Sequence, residues 1–366
     1  MKKHSVSSRL LCLLLVFFCM AQVAFAEEVP TETRYVAVDG PSANIDLAFG
    51  SVCILNGCRT VDGYVPLAGS ERRLDTAQAA FAFERNTGTL VYSMNPDTRL
   101  PLGGLAKMVT MLLTLEYCNM DDIVTVTNNK RFPSGQQHVN LKNDEQLSVE
   151  DLLYCVVLAN ASDACIVLAE RVAGNTEAFV EKMNRRAQEL GMKDTHFCNC
   201  NGLPAEGHVT SAYDIALMSR QLLQYDLIRD YVGIWMDSIR EGTFQLANTN
   251  KLIYYYDGAT GLKTGSTDAA GYCISASAQR EGMELIAVVL GSPTSKERFN
   301  TAKALLNYGF GAYALADVTP EQPLPALPVQ LGQAEQVELA LAQTGKLLVK
   351  KEERSKVTSE LQLEQA

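Results

Sequence analysis

Three short stretches of this chain carry the residue types that acyl transfer to a hydroxyl requires. Leu105-Ala-Lys107 opens an apolar helix, Asn160-Ala-Ser162 lies between two helical segments, and Lys263-Thr-Gly265 precedes an apolar strand. The chemistry needs a hydroxyl at a helix N-terminus, a base one helical turn away and a pair of donors for the oxyanion. A lysine three residues after the hydroxyl projects from the same helix face, and its neutral amine can take the hydroxyl proton.

The position three residues before Lys107 is Gly104, which offers no hydroxyl. Taken alone, the pair Gly103-Gly104 is a good helix entry and nothing else. Lys107 taken alone is a solvated or snorkelling lysine. In the company of the other two stretches, we expect Lys107 to face a cleft.

The second stretch supports two interpretations of equal weight. Asn160 and Ser162 could both face the cleft, or Ser162 with Asp163 could simply cap the helix that follows. The third stretch, as isolated residues, is the end of a surface strand. A metal site is not expected, because the four histidines form no His-x-x-x-His pair and the cysteine spacing fits no zinc pattern.

The surrounding sequence alternates strand and helix signals. Ala79 to Glu84 and Thr89 to Ser93 predict a β-hairpin, and Leu105 to Tyr117 has the apolar spacing of a buried helix. Further helices are predicted from Ser148 to Leu158, from Ser162 to Ala173, from Glu177 to Leu190, from Ser211 to Leu223 and from Thr294 to Leu306. Further strands are predicted at 244–247, 272–278, 285–291, 337–341 and 347–350. Strands at both ends with helices between them predict one mixed α/β (α+β) domain with an antiparallel sheet flanked by helices.

Composition divides the rest of the chain. Residues 1–26 have the basic start, apolar core and Ala24-Phe-Ala26 ending of a signal peptide, so we expect an exported protein. Residues 27–75 are loop-rich, 76–313 form the mixed domain, and 314–366 are a proline-rich linker with a short C-terminal β-like segment. Without 1–26 the chain has 29 Lys and Arg against 42 Asp and Glu, a net charge of −13 that disfavours nucleic acid.

Eight cysteines remain once 1–26 are removed. We expect Cys118, Cys155, Cys165 and Cys273 to be small core residues, because each lies in an apolar helix or strand run. Cys53 and Cys58 flank a turn sequence, so an exported protein could join them in a hairpin disulfide. The pairing stays open at this point.

The three stretches together resemble the Ser-x-x-Lys, Ser-x-Asn and Lys-Thr-Gly motifs of the penicillin-binding D-alanyl-D-alanine carboxypeptidases. The resemblance runs from about Ala79 to Tyr313 and includes Asn-Gly-Leu-Pro at 201–204 and Thr-Asn-Lys-Leu at 249–252. It implies a β-lactamase/transpeptidase-like fold, no cofactor, and peptidoglycan stem peptides ending in D-Ala-D-Ala as partners. Two motifs depart from the family: Gly104 replaces the nucleophile, and Asn160 and Ser162 stand in swapped order.

The resemblance also assigns roles to individual residues. Lys263 would supply positive charge, Thr264 a hydroxyl for the C-terminal carboxylate, and Gly265 room for substrate backbone. The oxyanion donors would be the backbone N–H groups of Gly104 and Ser266. Arg298 is a further substrate-binding candidate.

These observations predict a family member that still recognises stem peptides, with β-lactams bound non-covalently at most, and that is catalytically impaired. Removing the nucleophile of a serine triad enzyme costs roughly six decades in turnover. The alternatives are an active carboxypeptidase that uses Ser162, a β-lactamase relative, and a purely structural exported protein. Attachment to a membrane through the C-terminus is doubtful, because 358–366 has no broad basic and apolar face.

Overall fold

The computed structural model describes residues 19–25, 76–127, 136–318, 327–328, 336–337 and 345–363. The chain divides into two compact units, one of residues 57–311 and one of 1–56 together with 312–366. The loop-rich segment predicted at 27–75, with Cys53 and Cys58, lies outside the described residues.

The described residues begin and end with a β-strand. The strands are β1 Cys19–Phe25, β2 Ala79–Glu84, β3 Leu90–Met94, β4 Leu100–Pro101, β5 Ile123–Thr125, β6 Gln146–Ser148, β7 Val209–Thr210, β8 Met236–Ile239, β9 Phe244–Ala247, β10 Ala259–Thr267, β11 Gly271–Arg280, β12 Met283–Ser292, β13 Tyr313–Asp317, β14 Leu327–Pro328, β15 Gln336–Val337, β16 Lys346–Lys350 and β17 Val357–Leu363.

Eight α-helices lie in the described residues. They are α1 Lys107–Tyr117, α2 Val149–Val157, α3 Ser162–Ala173, α4 Thr176–Glu189, α5 Ala212–Leu222, α6 Asp226–Val232, α7 Leu252–Tyr255 and α8 Ser295–Ala312. A 3-10 helix at Gly103–Ala106 leads into α1, and a second 3-10 helix covers Lys351–Lys356.

The main sheet has five strands in the order β10-β11-β12-β2-β3, and every neighbouring pair is antiparallel. Its centre joins the first and last strands of the 57–311 unit, with Phe81 opposite Val288. This topology confirms the predicted mixed α/β fold with an antiparallel sheet flanked by helices. All ten residues of β12 are buried.

Helices cover both faces of the sheet. Ser219 of α5 hydrogen-bonds Ser275 across 2.7 Å, and Ser275 pairs with Val288 on β12. Gly309 of α8 lies so close to Leu285 that a Cβ added there would be 2.4 Å from the Leu285 Cδ1. Leu285 and Val288 are three residues apart on one strand and therefore point to opposite faces. The sheet is thus the middle layer of three.

Local signals set most helix starts. The Ser148 hydroxyl accepts from the backbone N–H of Asp151, and the Ser211 hydroxyl accepts from that of Asp214, which confirms both predicted caps. The cap interpretation of Ser162 is wrong. Helix α3 begins at Ser162 itself, its N-cap is Ala161, and no side chain caps it.

The second unit contains three two-stranded antiparallel pairs: β1 with β17, β13 with β16, and β14 with β15. The strand predicted at 347–350 is confirmed as β16. Of the strand predicted at 337–341, only Val337 is among the described residues, and it lies in β15. The elements that were not predicted are helices α6 and α7 and strands β1, β4, β5, β6, β7, β8, β13, β14 and β17. No helix in the described ranges has the length and apolar character needed to cross a membrane.

Candidate active site

One side of the site is the Lys263-Thr264-Gly265 segment of β10, here called the strand wall. All three residues are buried although β10 is the edge strand of the sheet. The Thr264 hydroxyl donates to the Thr249 hydroxyl at 2.8 Å, and Asn250 Nδ2 donates to the Gly261 carbonyl at 2.9 Å. The loop before α7 therefore holds β10 in place.

The opposite side consists of the 3-10 helix Gly103–Ala106 with Lys107, Asn160 and Ser162, here called the helix wall. Its backbone touches the strand wall directly. A Cβ added to Gly265 would lie 2.6 Å from the Gly104 nitrogen, a separation that real Cβ atoms do not show. Glycine at 265 is what allows the two walls to meet.

Gly103, rather than Gly104, has the left-handed backbone that favours glycine. Its φ is +52°. A Cβ on Gly103 would lie 3.3 Å from the backbone nitrogen of Ser266, which is itself exposed. The Gly103-Gly104 and Gly265-Ser266 segments thus cross closely, and this crossing brings together the two residues whose N–H groups are the candidate oxyanion donors.

Lys107 and Lys263 both project into this region and are almost completely buried, with exposures of 3% and 1%. Burial is the main cause that lowers the pKa of the Lys107 amine. The pKa of Lys263 lies well below its ordinary value, first because of burial and second because of repulsion by Lys107. A neutral amine is the form of lysine that can act as a base.

Asn160 fills the space in front of Gly104. A Cβ built on Gly104 would lie 3.0 Å from Asn160 Oδ1, 3.1 Å from Asn160 Nδ2 and 3.3 Å from the Gly265 Cα. Asn160 Nδ2 donates to Gln137 Oε1 at 2.6 Å, while its Oδ1 is buried and has no hydrogen-bond partner within the described residues. The carboxamide therefore stands where the side chain of a larger residue at 104 would go.

Ser162 lies at the start of α3 and is 4% exposed. Its backbone N–H donates to the Gln137 carbonyl at 2.8 Å. The neighbouring Asp163 carboxylate accepts from the backbone N–H groups of Val139 and Leu141, all at 3.1 Å. The start of α3 thus fixes the segment that carries Gln137, and Gln137 in turn holds Asn160.

Arg298 lies behind the strand wall. Its guanidinium donates to the carbonyls of Gly265 at 3.2 Å and of Cys273 at 3.3 Å, and its exposure is 6%. Burial lowers the pKa of Arg298 to about 10. In this arrangement the side chain supports the backbone of β10, which is a different task from the direct substrate contact predicted from sequence.

Several contacts of the site were not predicted. Gln137 and Thr249 were not singled out, although Thr249 belongs to the Thr-Asn-Lys-Leu run that carried the resemblance. Thr110 and Cys165 also lie near Lys107, where the Thr110 hydroxyl and the Cys165 thiol each donate to the Cys200 carbonyl at 2.9 Å. Cys165 and Cys200 are buried. Of these residues, only Thr249 lies in a run that had already been named for the family resemblance.

No group of three or more metal-ligating side chains occurs in the part of the chain that the structure describes. Two buried lysines, a strand that carries a Lys-Thr-Gly segment and a helix that enters beside it define the class of penicillin-binding serine acyl-transfer folds. A family model described as D-alanyl-D-alanine carboxypeptidase matches residues 69–294. The chain belongs to this family.

Individual relatives agree with this assignment. The D-alanyl-D-alanine carboxypeptidase DacF of Bacillus subtilis (strain 168) is 37% identical over 297 residues, which cover 78% of this chain and 76% of the relative. DacC of Escherichia coli (strain K12), of the same description, is 32% identical and covers 75% and 71%.

Solved structures show the same fold. The Streptomyces K15 DD-transpeptidase has a TM-score of 0.60 at 27% identity and covers 64% of this chain and 97% of its own. Penicillin-binding protein D2 of Listeria monocytogenes, in its cefotaxime-bound form, has a TM-score of 0.61 at 29% identity and covers 66% and 100%.

Proposed function

We propose that this protein acts outside the cytoplasm and binds peptidoglycan stem peptides that end in D-Ala-D-Ala, without the covalent step of its relatives. The observation that carries the proposal is the contrast across the cleft. The strand wall keeps Lys263, Thr264 and Gly265, while the position that faces them is Gly104 with the Asn160 carboxamide against it. Recognition groups remain, and the acylable hydroxyl at that position does not.

Binding rests on charge and on backbone donors. A C-terminal carboxylate beside Lys263 would favour the charged amine, because an opposite charge raises a lysine pKa that burial has lowered. Thr264 can turn its hydroxyl from Thr249 toward the same carboxylate. The N–H groups of Gly104 and Ser266 remain available to a substrate carbonyl, since backbone donors do not depend on the side chain.

Loss of the covalent step follows from the chemistry of position 104. Without an oxygen there, Lys107 has no hydroxyl partner one turn away. Direct attack by water on the bound peptide would keep only the rate acceleration that binding and the oxyanion donors provide. In a comparable enzyme this residual acceleration is on the order of 10³–10⁴ over the reaction in water. The second candidate, an active enzyme that uses Ser162, receives one supporting observation: the Ser162 hydroxyl does not cap its helix.

The deciding experiment measures binding and acylation on the same purified protein. Diacetyl-L-Lys-D-Ala-D-Ala is titrated by calorimetry, D-alanine release is assayed, and a fluorescent penicillin is tested for covalent labelling. We expect saturable binding, no label and no D-alanine. Thr264→Val should weaken peptide binding at least tenfold, while the control Thr243→Val, whose hydroxyl bonds Arg240 in the turn between β8 and β9, should not.

Two results would contradict the proposal. A covalent penicillin adduct mapped by mass spectrometry to Ser162, together with D-alanine release, would establish the active-enzyme alternative. Failure of a folded wild-type protein to bind the peptide at millimolar concentration would remove stem-peptide recognition itself.

A further inference from the structure

A cluster of three aromatic side chains, two of them exposed and the third half-buried, lies near strand β10. It consists of Trp235, Tyr254 and Tyr255 and is here called the aromatic platform. Tyr254 and Tyr255 leave 64% and 69% of their surface exposed. The Trp235 and Tyr254 rings lie 5.3 Å apart at 39°, and the Tyr254 and Tyr255 rings lie 4.9 Å apart at 83°. Exposed aromatic groups of this kind are informative, because single scattered apolar residues are normal but clustered rings mark binding surfaces.

The platform is connected to the strand wall through one short segment, Asn248–Asn250. The backbone N–H of Asn248 donates to the Trp235 carbonyl at 2.9 Å. The next residue, Thr249, accepts from the Thr264 hydroxyl, and Asn250 bonds the Gly261 carbonyl. Tyr254 and Tyr255 follow one turn later, in α7. Helix α7, which carries both tyrosines, also contacts strand β10 directly, so the aromatic platform and the strand wall lie on neighbouring elements.

The charges near the platform argue for a neutral partner. Asp237 follows Trp235 by two residues and Asp257 follows Tyr255 by two, while Lys251 is exposed on the turn before the tyrosines. The whole chain has a net charge of −10. Anionic lipid surfaces recruit proteins through clusters of lysine and arginine, which this element lacks. An uncharged polymer is not repelled by the acidic residues near the platform.

The chemistry of the aromatic rings narrows the chemical class of the ligand further. The faces of Trp and Tyr carry negative quadrupole density, which favours contact with the weakly positive C–H groups on one face of a pyranose ring. The tyrosine hydroxyls can exchange hydrogen bonds with sugar hydroxyl and N-acetyl groups. Tyr and Trp side chains have only about two χ angles each, so they also lose little conformational entropy on binding.

We propose that the aromatic platform is a binding site for the N-acetylated glycan strand of peptidoglycan, separate from the site for the stem peptide. The inference rests on the proposed function only in taking peptidoglycan as the target. It places the sugar backbone over Trp235, Tyr254 and Tyr255 while a stem peptide occupies the cleft. Once the stem peptide is bound in the cleft, the glycan strand attached to it would have a high effective concentration at the platform, and the reverse would also hold.

The chain offers a direct probe, because Trp235 is its sole tryptophan. Wild-type protein is titrated with the N-acetylglucosamine hexamer, which has no peptide, and Trp235 fluorescence is followed. Maltohexaose and phosphatidylcholine vesicles serve as comparison ligands. We expect a saturable change in Trp235 emission with the N-acetylated hexamer, weakened at least tenfold in Tyr254→Ala/Tyr255→Ala and retained in Tyr254→Phe. The control Tyr117→Ala removes a ring of slightly lower exposure, 58%, from the end of α1.

The outcomes separate the two proposals. If the hexamer binds and diacetyl-L-Lys-D-Ala-D-Ala does not, the glycan site stands and stem-peptide recognition fails. If the peptide binds and the hexamer gives no saturable change, the glycan site is overturned. It is overturned as well if a folded Tyr254→Ala/Tyr255→Ala variant binds the hexamer like wild type, or if only the vesicles shift Trp235 emission.

Discussion

The strand wall and the helix wall are buried to a similar degree, yet they differ in what their side chains can do. On the strand wall, Lys263 and Thr264 present an amine and a hydroxyl, backed by Arg298 and Thr249. On the helix wall, the position that faces them is a glycine. The two walls therefore offer different chemistry, because they lie on different elements of the fold.

Gly104 and Asn160 on the helix wall fit each other sterically. Asn160 has a left-handed backbone with φ of +56°, a conformation in which asparagine is enriched among non-glycine residues. Its carboxamide lies 3.0–3.1 Å from where a Cβ at 104 would stand. A serine at 104 and an asparagine at 160 would compete for one space. Glycine at 104 leaves that space free for the Asn160 carboxamide.

The largest expected effect is the restoration of acylation by changing both residues. Gly104→Ser/Asn160→Ser should form a stoichiometric penicillin adduct, whereas wild type should form none, because the new hydroxyl gains Lys107 at i+3 and loses the obstruction. Gly104→Ser alone should acylate at least tenfold more slowly than the pair. Intact-protein mass spectrometry after incubation with benzylpenicillin measures both.

The matched control is Gly104→Ala/Asn160→Ser, which adds the same Cβ without an oxygen and should remain unlabelled. An adduct on this control would show that another group is acylated. Adding Ser162→Asn to the restored pair returns the family order, and this triple variant is the one to assay for D-alanine release. A folded triple variant that neither labels nor releases D-alanine would show that the helix wall differs from its relatives in more than these residues.

The next effect tests the contact between the two walls. Gly265→Ala should destabilise the fold by about 3 kcal/mol, since its Cβ would meet backbone atoms of Gly104 and Leu105 at 2.6–3.0 Å and backbone cannot move aside cheaply. Gly311→Ala, at the end of α8 with no atom within 4 Å of its Cβ, should be neutral or stabilising by up to about 1 kcal/mol. Urea unfolding compares the two. Equal midpoints would mean that the walls do not touch in solution.

A smaller effect separates support of the strand wall from surface pairing. Arg298→Met should cost about 2 kcal/mol, because two buried carbonyls lose charged donors. Arg99→Met removes a surface ion pair with Asp194, in which the arginine side chain is 63% exposed, and should cost less than about 1 kcal/mol. If Arg298→Met weakened peptide binding without any loss in thermal stability, direct substrate contact would replace the supporting role.

The smallest effect is a pH dependence that arises on the helical side. Burial raises the pKa of Asp214 on α5 to about 6 from an ordinary value of 3.8. The folded state therefore holds this proton more tightly than the unfolded state does. The resulting stabilisation is complete below about pH 4 and is lost as pH rises through 6.

Between pH 5 and pH 7 the loss from this group should be about 1 kcal/mol. Asp214→Asn should remove that slope while it keeps an oxygen for the donors from Asp194 and Thr195. Urea midpoints of wild type and variant at the two pH values provide the measurement. An identical slope in both proteins would place the titrating group elsewhere.

Much of the fold was predictable because its signals are local. The capped starts at Ser148 and Ser211, the hairpin of β2 and β3 and the ends of α3 follow from turn residues and apolar spacing. The elements that were missed, among them α6, α7 and β8, are mostly short, so their periodicity is weak. Ser162 was a possible N-cap by its residue type alone. In the structure the N-cap position of α3 is occupied by Ala161, whose side chain makes no capping hydrogen bond.

The sequence by itself determined the family, the alternation of strands and helices, and the fact that Gly104 carries no hydroxyl, because residue identities and short-range spacing are written along the chain. Only the tertiary structure decided that Asn160 fills the place in front of Gly104, that Gly265 must be glycine for the walls to meet, and that Arg298 supports β10 from behind. These three facts depend on distances between residues that lie 56, 161 and 33 positions apart. No local pattern encodes such distances, since they arise only when the sheet and its two helical layers pack together.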